Sequence, residues 1–208
     1  MLSGWFAKSW NGNGTPATRL KDWLDPLSTG VKTLGGTATP TTTIVSGTIK
    51  TWRNDAMANQ KVIIGNDSTT TNVSGIFTLN YVPLNTPVTV KVSRNTNMEN
   101  GVDAVDILLI RRNLLGINTL RTEQLIAADV DRSGELDAVD ILHLRRYLLG
   151  ITQNLPSDKS WLFYPESTIQ NPNSPVDLFN VTFNGAVFNF NLIGIKTGDV
   201  DGSADPNQ

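Results

Sequence analysis

The spacing of apolar residues along the chain changes twice. Between residues 44 and 94 apolar and polar side chains alternate, in Val45-Ser-Gly-Thr-Ile-Lys-Thr-Trp, Lys61-Val-Ile-Ile, Gly75-Ile-Phe-Thr-Leu and Val88-Thr-Val-Lys-Val. A period of two sends successive side chains to opposite faces of a strand, and Asn54-Asp, Asn66-Asp-Ser and Pro83-Leu-Asn-Thr-Pro between the runs are turn formers. Short strands at this spacing predict a small antiparallel β-sandwich. Further on the period lengthens: Ile141, Leu144 and Leu148, with Leu142 and Leu149, form a helical stripe, and Gly150 stands where a left-handed stop belongs. Alternation returns after Ile151, in Trp161-Leu-Phe-Tyr-Pro, Val181-Thr-Phe and Val187 to Ile195, where Phe188, Phe190 and Leu192 predict one buried face. The expected fold class is α+β: a linker or docking segment over 1–43, a sandwich over 44–94, a helical region over 95–151 and a β extension over 152–208.

The helical region contains an internal repeat. Asp103-Ala-Val-Asp106-Ile-Leu recurs 34 residues on as Asp137-Ala-Val-Asp140-Ile-Leu, and Arg111-Arg112 with Leu114-Leu115-Gly116-Ile117 recurs as Arg145-Arg146 with Leu148-Leu149-Gly150-Ile151. Oxygen-bearing side chains lead into each helix at alternate positions. Before the second helix Asp129, Asp131, Ser133, Glu135, Asp137 and Asp140 take the first, third, fifth, seventh, ninth and twelfth places of a twelve-residue loop, with Gly134 at the sixth, where the chain must turn. Ca²⁺ takes six to eight hard oxygens, and alternate residues of a tightly wound loop can all face one centre, so this is the spacing of an EF-hand loop. The corresponding first loop is weaker. Asn95 and Asn97 stand in the leading places, Glu99 in the fifth, Asn100 in the sixth and Gly101 in the seventh, leaving Asp103 and Asp106 as its clear carboxylates. Both loops close on Asp instead of the longer Glu of a sensor, so a large calcium-driven opening is not expected.

Neither loop has the leading helix of a full EF-hand: Thr89-Val-Lys-Val precedes the first and only the short Thr122 to Ala127 segment the second. In this residues 95–151 resemble a type I dockerin, a family with two calcium loop-helix repeats that attaches proteins to cohesin domains. The resemblance implies Ca²⁺ as cofactor and a recognition face at Ala104, Val105, Arg111, Arg112, Ala138, Val139, Arg145 and Arg146, with Ala-Val in place of the usual hydroxyl pair. Because the two copies are identical there, binding in two orientations is implied. Residues 44–94 resemble the carboxypeptidase regulatory-like family and collagen-adhesin B-type repeats, through Ser46-Gly-Thr-Ile, Lys61-Val-Ile-Ile, the Thr69 to Gly75 turn before Ile76-Phe77, and Val88 to Val92. Such modules act as spacers. The order as a whole is similar to the C-terminal region of large secreted surface proteins of Bacteroidetes-type bacteria.

Dockerins end at their second helix, whereas this sequence continues to Lys196-Thr-Gly-Asp199-Val-Asp201-Gly-Ser203-Ala-Asp205. Asp199, Asp201, Ser203 and Asp205 repeat the opening of a calcium loop without its helix. They are either a spare turn or a third set of oxygens that completes the weaker first site. Trp5, Phe6, Trp10 and Trp23 have two readings as well, as a cap on the neighbouring domain or as a joint to another chain.

Composition narrows the function classes. With 17 basic and 19 acidic residues the net charge is −2, which gives no electrostatic case for nucleic acid or an anionic membrane. Cysteine is absent, which removes disulfides, zinc thiolates and thiol nucleophiles. No apolar run approaches the roughly 18 residues of a membrane span. The lone His143 sits on a helix between Leu142 and Leu144, and no nucleophile elbow, phosphate loop or dinucleotide motif occurs, so no enzyme is expected. Calcium loops of this charge are filled outside the cell, which places the chain in an extracellular or cell-surface setting. Two functions compete. One is an assembly module that binds a cohesin-like domain or other copies of itself, up to a homopolymer. The other is a structural subunit of a fibre or adhesin stalk with calcium as a stiffening staple. A carbohydrate-binding module would need a planar row of exposed aromatics, and only Trp52 and Tyr81 are on offer.

Overall fold

The computed structural model describes residues 41–169 and 176–208. Trp5, Phe6, Trp10 and Trp23 lie outside the described residues.

Two sheets enclose one apolar core. The strands are β1 (Thr42–Thr51), β2 (Lys61–Ile64), β3 (Asp67–Thr70), β4 (Ile76–Pro83), β5 (Pro87–Val92), β6 (Trp161–Pro165), β7 (Leu178–Thr182), β8 (Val187–Asn189) and β9 (Leu192–Lys196). One sheet runs β4-β1-β9-β6 with β8 also on β1, and the other runs β3-β2-β5-β7. Val45, Ile49 and Phe77 from the first sheet meet Val62, Val90 and Phe179 from the second, as the period-two pattern requires. The strands after residue 160 thus complete the same sheets that the strands before residue 93 begin. A sandwich closed within 44–94 is corrected by this pairing: β1 needs β8 and β9 beside it, and β5 needs β7, or both would present unpaired edges. Nor is the sandwich wholly antiparallel, because β8 and β9 run parallel to β1. The chain passes from one to the other at Gly47. A Cβ there would lie 2.0 Å from the Phe190 carbonyl oxygen, and the Phe190 N–H donates to the Ser46 carbonyl at 2.7 Å.

Between β5 and β6 the chain forms three helices: α1 (Ala104–Leu114), α2 (Thr122–Ala128) and α3 (Ala138–Leu148). α1 and α3 are built alike. Asp103 caps α1 by accepting from the Val105 N–H at 2.6 Å, and Asp106 reaches back to the Asp103 N–H at 2.7 Å. Asp137 and Asp140 repeat both bonds on α3, at 2.6 and 3.0 Å. These reciprocal caps satisfy the free N–H groups of each first turn. At the other ends Gly116 and Gly150 take φ values of 68° and 67°, and the Ile117 and Ile151 N–H groups fold back to Arg112 and Arg146.

Ile110 and Leu144, equivalent positions of the repeat, are both fully buried in a second core with Val102, Leu120, Val130 and Val200. A third cluster joins Ile126 and Ala127 of α2 to Leu162, Tyr164 and Ile195 of the sheet, so α2 is seated on the strands that follow it. Of the helical stripe, Leu144 and half-buried Ile141 face the core, whereas Leu142, Leu148 and Leu149 are exposed. With 11 residues each, α1 and α3 span only three turns, and contact each other along one narrow seam.

Candidate metal centres

Residues 129–140 wrap into a loop that gathers three of its carboxylates, those of Asp129, Asp131 and Asp140. Asp129 accepts from the N–H groups of Ser133 and Gly134, both at 3.0 Å, and Asp131 also accepts from the Ser133 N–H at 3.0 Å. Asp140 accepts from the Val130 N–H at 2.9 Å with one oxygen while the other holds the Asp137 N–H. Arg132 and Gly134 adopt φ values of 60° and 86°, which bend the chain tightly enough for these bonds. One carboxylate oxygen from each of Asp129, Asp131 and Asp140 lies within 4.8 Å of the others. Ser133 Oγ donates to the Glu135 carbonyl at 3.0 Å, and the Asp137 side chain is spent on the helix cap.

A second cluster of the same kind joins Asp106, Asp199 and Asp201, again with three oxygens within 4.8 Å. Four of its bonds repeat those of the first cluster. The Ser203 N–H gives to Asp199 and to Asp201, each at 2.9 Å, the Ala204 N–H gives to Asp199 at 3.0 Å, and the Val200 N–H gives to Asp106 at 2.6 Å. Asp106 and Asp199 are almost fully buried.

The front of the first loop lies elsewhere. The Asn95 side chain accepts from the Ser160 N–H at 2.8 Å and donates to the Asp158 carbonyl at 2.9 Å. Asn97 is exposed with φ at 53°, and Glu99 is exposed near Tyr147, whose phenol pKa is pushed up mainly by burial and further by the Glu99 charge. Asn100 grips the tail, donating to the Asp205 carbonyl at 2.7 Å and accepting from the Asp205 N–H at 3.1 Å. Gly101 offers its carbonyl to Ser203 Oγ at 3.3 Å, and Asp103 caps α1. Asn95 is thus bonded to the 158–160 turn, and Glu99 is not among the three carboxylates grouped at Asp106. The spacing rule could not reveal this, since it treats a loop as one stretch of chain.

Electrostatics set both clusters apart from ordinary surface turns. Burial is the first cause that raises Asp106 to about 7 and Asp199 to about 6, and neighbouring carboxylates add to it. Asp129 and Asp140 are pushed up for the same reasons. Lys196 is buried beside the second cluster with its Nζ on the Met98 carbonyl at 2.7 Å, and burial holds it down to about 8. The described ion pairs, Arg121–Glu123 and Lys159–Asp177, involve neither cluster. Each cluster is thus a crowded set of hard oxygens that no salt bridge among the described residues reaches, and the Lys196 charge acts on Asp199 and Asp106 of the second.

The dockerin type I domain matches residues 96–149. No curated protein and no solved structure matches the chain. Dockerin type I domains bind calcium and act as non-catalytic modules of protein assembly. The donor chemistry fits that ion, since both clusters offer carboxylates with neither thiolate nor imidazole. No helix among the described residues is long and apolar enough to cross a membrane.

Ala104, Val105, Arg111 and Arg112 on α1, and Ala138, Val139, Arg145 and Arg146 on α3, are all exposed. Sequence reasoning missed the leucines beside them. Leu108 and Leu142 are 52% and 51% exposed, and Leu115 and Leu149 are 70% and 74% exposed. The available signal was the repeat itself, which keeps large apolar residues at equivalent positions that a three-turn helix cannot all bury.

Proposed function

We propose that the helix pair is a calcium-dependent attachment module that binds a cohesin-like protein domain outside the cell. The observation that carries this reading is the matched exposure of two equivalent helix faces. Val105 and Val139 are 45% and 43% exposed, beside the outward leucines and the paired arginines of α1 and α3. Apolar side chains repeated at equal exposure on two helices, rimmed by basic residues, form the kind of surface that another protein covers. The repetition supports two alternative orientations of one partner. In loop 129–140 the ion is held by Asp129, Asp131, Ser133, the Glu135 carbonyl and Asp140, with Asp137 behind them on the cap. These oxygens fix the start of α3, and the ion thereby orients the face that α3 presents.

A calcium-replete binding assay against cohesin domains tests the proposal. Binding is expected to be lost when Arg111→Glu and Arg145→Glu are combined, and to survive either alone, because one face suffices. Loss from one single variant with no effect of the other would contradict the two-orientation reading, and full binding by the double variant would contradict the proposed face.

A further inference from the structure

The carboxylate that opens α1 meets its partners at the far end of the chain. We propose that the first calcium site of this chain is split: residues 199–205 supply the front of the loop, Asp106 closes it, and residues 95–101 have become the cradle that holds the tail in place. This rests on reading the helix pair as a calcium module.

Several independent features support the split. Asp199, Val200, Asp201, Ser203 and Ala204 make the same bonds that Asp129, Val130, Asp131, Ser133 and Gly134 make in the continuous loop. Val200 is fully buried in the helical core, as Val130 is, so the tail also occupies the continuous loop's packing position. The replaced stretch is refitted for holding. Asn100 pairs with both main-chain groups of Asp205, and Arg94 reaches the carbonyls of Pro206 and Gln208. Gly101 has φ at 76°, and a Cβ on it would lie 2.5 Å from the Ala204 nitrogen, so the cradle closes on the tail without room for a side chain. The asparagines that weaken residues 95–101 as ligands suit them to this task, since an amide both donates and accepts. An ion bound here ties β9, which leads into the tail, to the start of α1, and so links the sandwich to the helices.

Calorimetric titration of the full chain with calcium decides the matter. The unaltered chain is expected to take up two ions, D199N/D201N one, and N97A/E99A two. D129N/D131N, which alters the continuous loop, is expected to keep the split site and lose the other. Two ions retained by D199N/D201N, or one lost on N97A/E99A, overturns the split. A single ion in the unaltered chain that disappears with D129N/D131N also overturns it. An unaltered chain that binds no calcium removes the underlying calcium reading as well, which separates the two failures. Should D199N/D201N not fold, Asp201→Asn alone serves, because the Ser203 N–H is the one backbone donor among the described residues that bonds the Asp201 carboxylate. It is expected to weaken one of the two ions about tenfold through the lost charge, and unchanged affinity for both overturns the proposal.

Discussion

Loop 129–140 gathers its carboxylates within one short turn of chain, whereas the cluster at Asp106 reaches across 94 positions to the Val200 N–H. Four backbone bonds recur in equivalent places in the two, so the difference lies in how the oxygens are brought together. A loop of twelve residues closes locally. Closing one of about 94 costs roughly 2 kcal/mol more in chain entropy, by the logarithmic dependence on length. The sandwich offsets much of that cost, because β9 pairs with β1 and β6 and brings Lys196 to Met98 before the last turn has to order. The comparison teaches that the same local chemistry can depend on local sequence in one repeat and on the whole fold in the other.

Removing calcium is the largest perturbation available to this comparison. At free ion a thousand times the dissociation constant, binding adds about 4 kcal/mol per site. Chelation is expected to lower the melting temperature by many degrees in scanning calorimetry, and an unchanged melt would break the parallel between the clusters. Next in size, Gly101→Ala is expected to destabilise by about 1–3 kcal/mol, through positive φ together with the collision at Ala204. Gly116→Ala shares the positive φ but meets nothing within 4 Å, so only about 1 kcal/mol is expected. Equal costs in urea unfolding would argue against a tight cradle.

Acidity gives a smaller effect whose sign is informative. Without calcium, burial keeps the Asp106 and Asp199 carboxyls protonated up to about 7 and about 6 in the folded chain, above the ordinary value of 3.8. Their favourable contribution is therefore present below the unfolded value and is lost as pH rises through the folded ones. Lys196, held down to about 8, changes charge above that window. The chelated protein is expected to melt higher at about pH 5 than at about pH 7.5, and the calcium-loaded protein lower, since protons compete with the ion. The same direction in both states would contradict metal ligation. Smallest of all, Leu108→Ala and Leu142→Ala are expected to leave stability within about 0.5 kcal/mol, their side chains being half exposed. A loss of several kcal/mol would mean that these leucines serve the fold.

The sequence carried the local parts of this structure plainly. Alternation at Val45, Ile49 and Phe77 marked side chains that are buried in the sandwich, and the Asp-Ala-Val-Asp repeats marked two capped helices of equal length. What it did not carry was partnership over distance. Parallel pairing of β1 with β8 and β9 leaves no trace in a period of two, and the Asp199-Val-Asp201 motif left two readings open, a spare turn or oxygens for the first site, without singling out Asp106 as the residue it meets. The outward leucines were hidden for a related reason. A helical stripe reads the same whether a face is covered by its own chain or by another protein, and only packing separates Leu144 from Leu142.

Amide hydrogen exchange followed by NMR, with and without calcium, reads both carboxylate clusters in one experiment. The Val130 and Ser133 N–H groups report on the continuous loop, and the Val200 and Ser203 N–H groups on the split one. Strong slowing of exchange at all four on adding calcium, and a smaller change at Val62 or Val90 deep in the sheet, is the predicted result. Exchange at these four amides that does not respond to calcium would mean that neither cluster holds the ion.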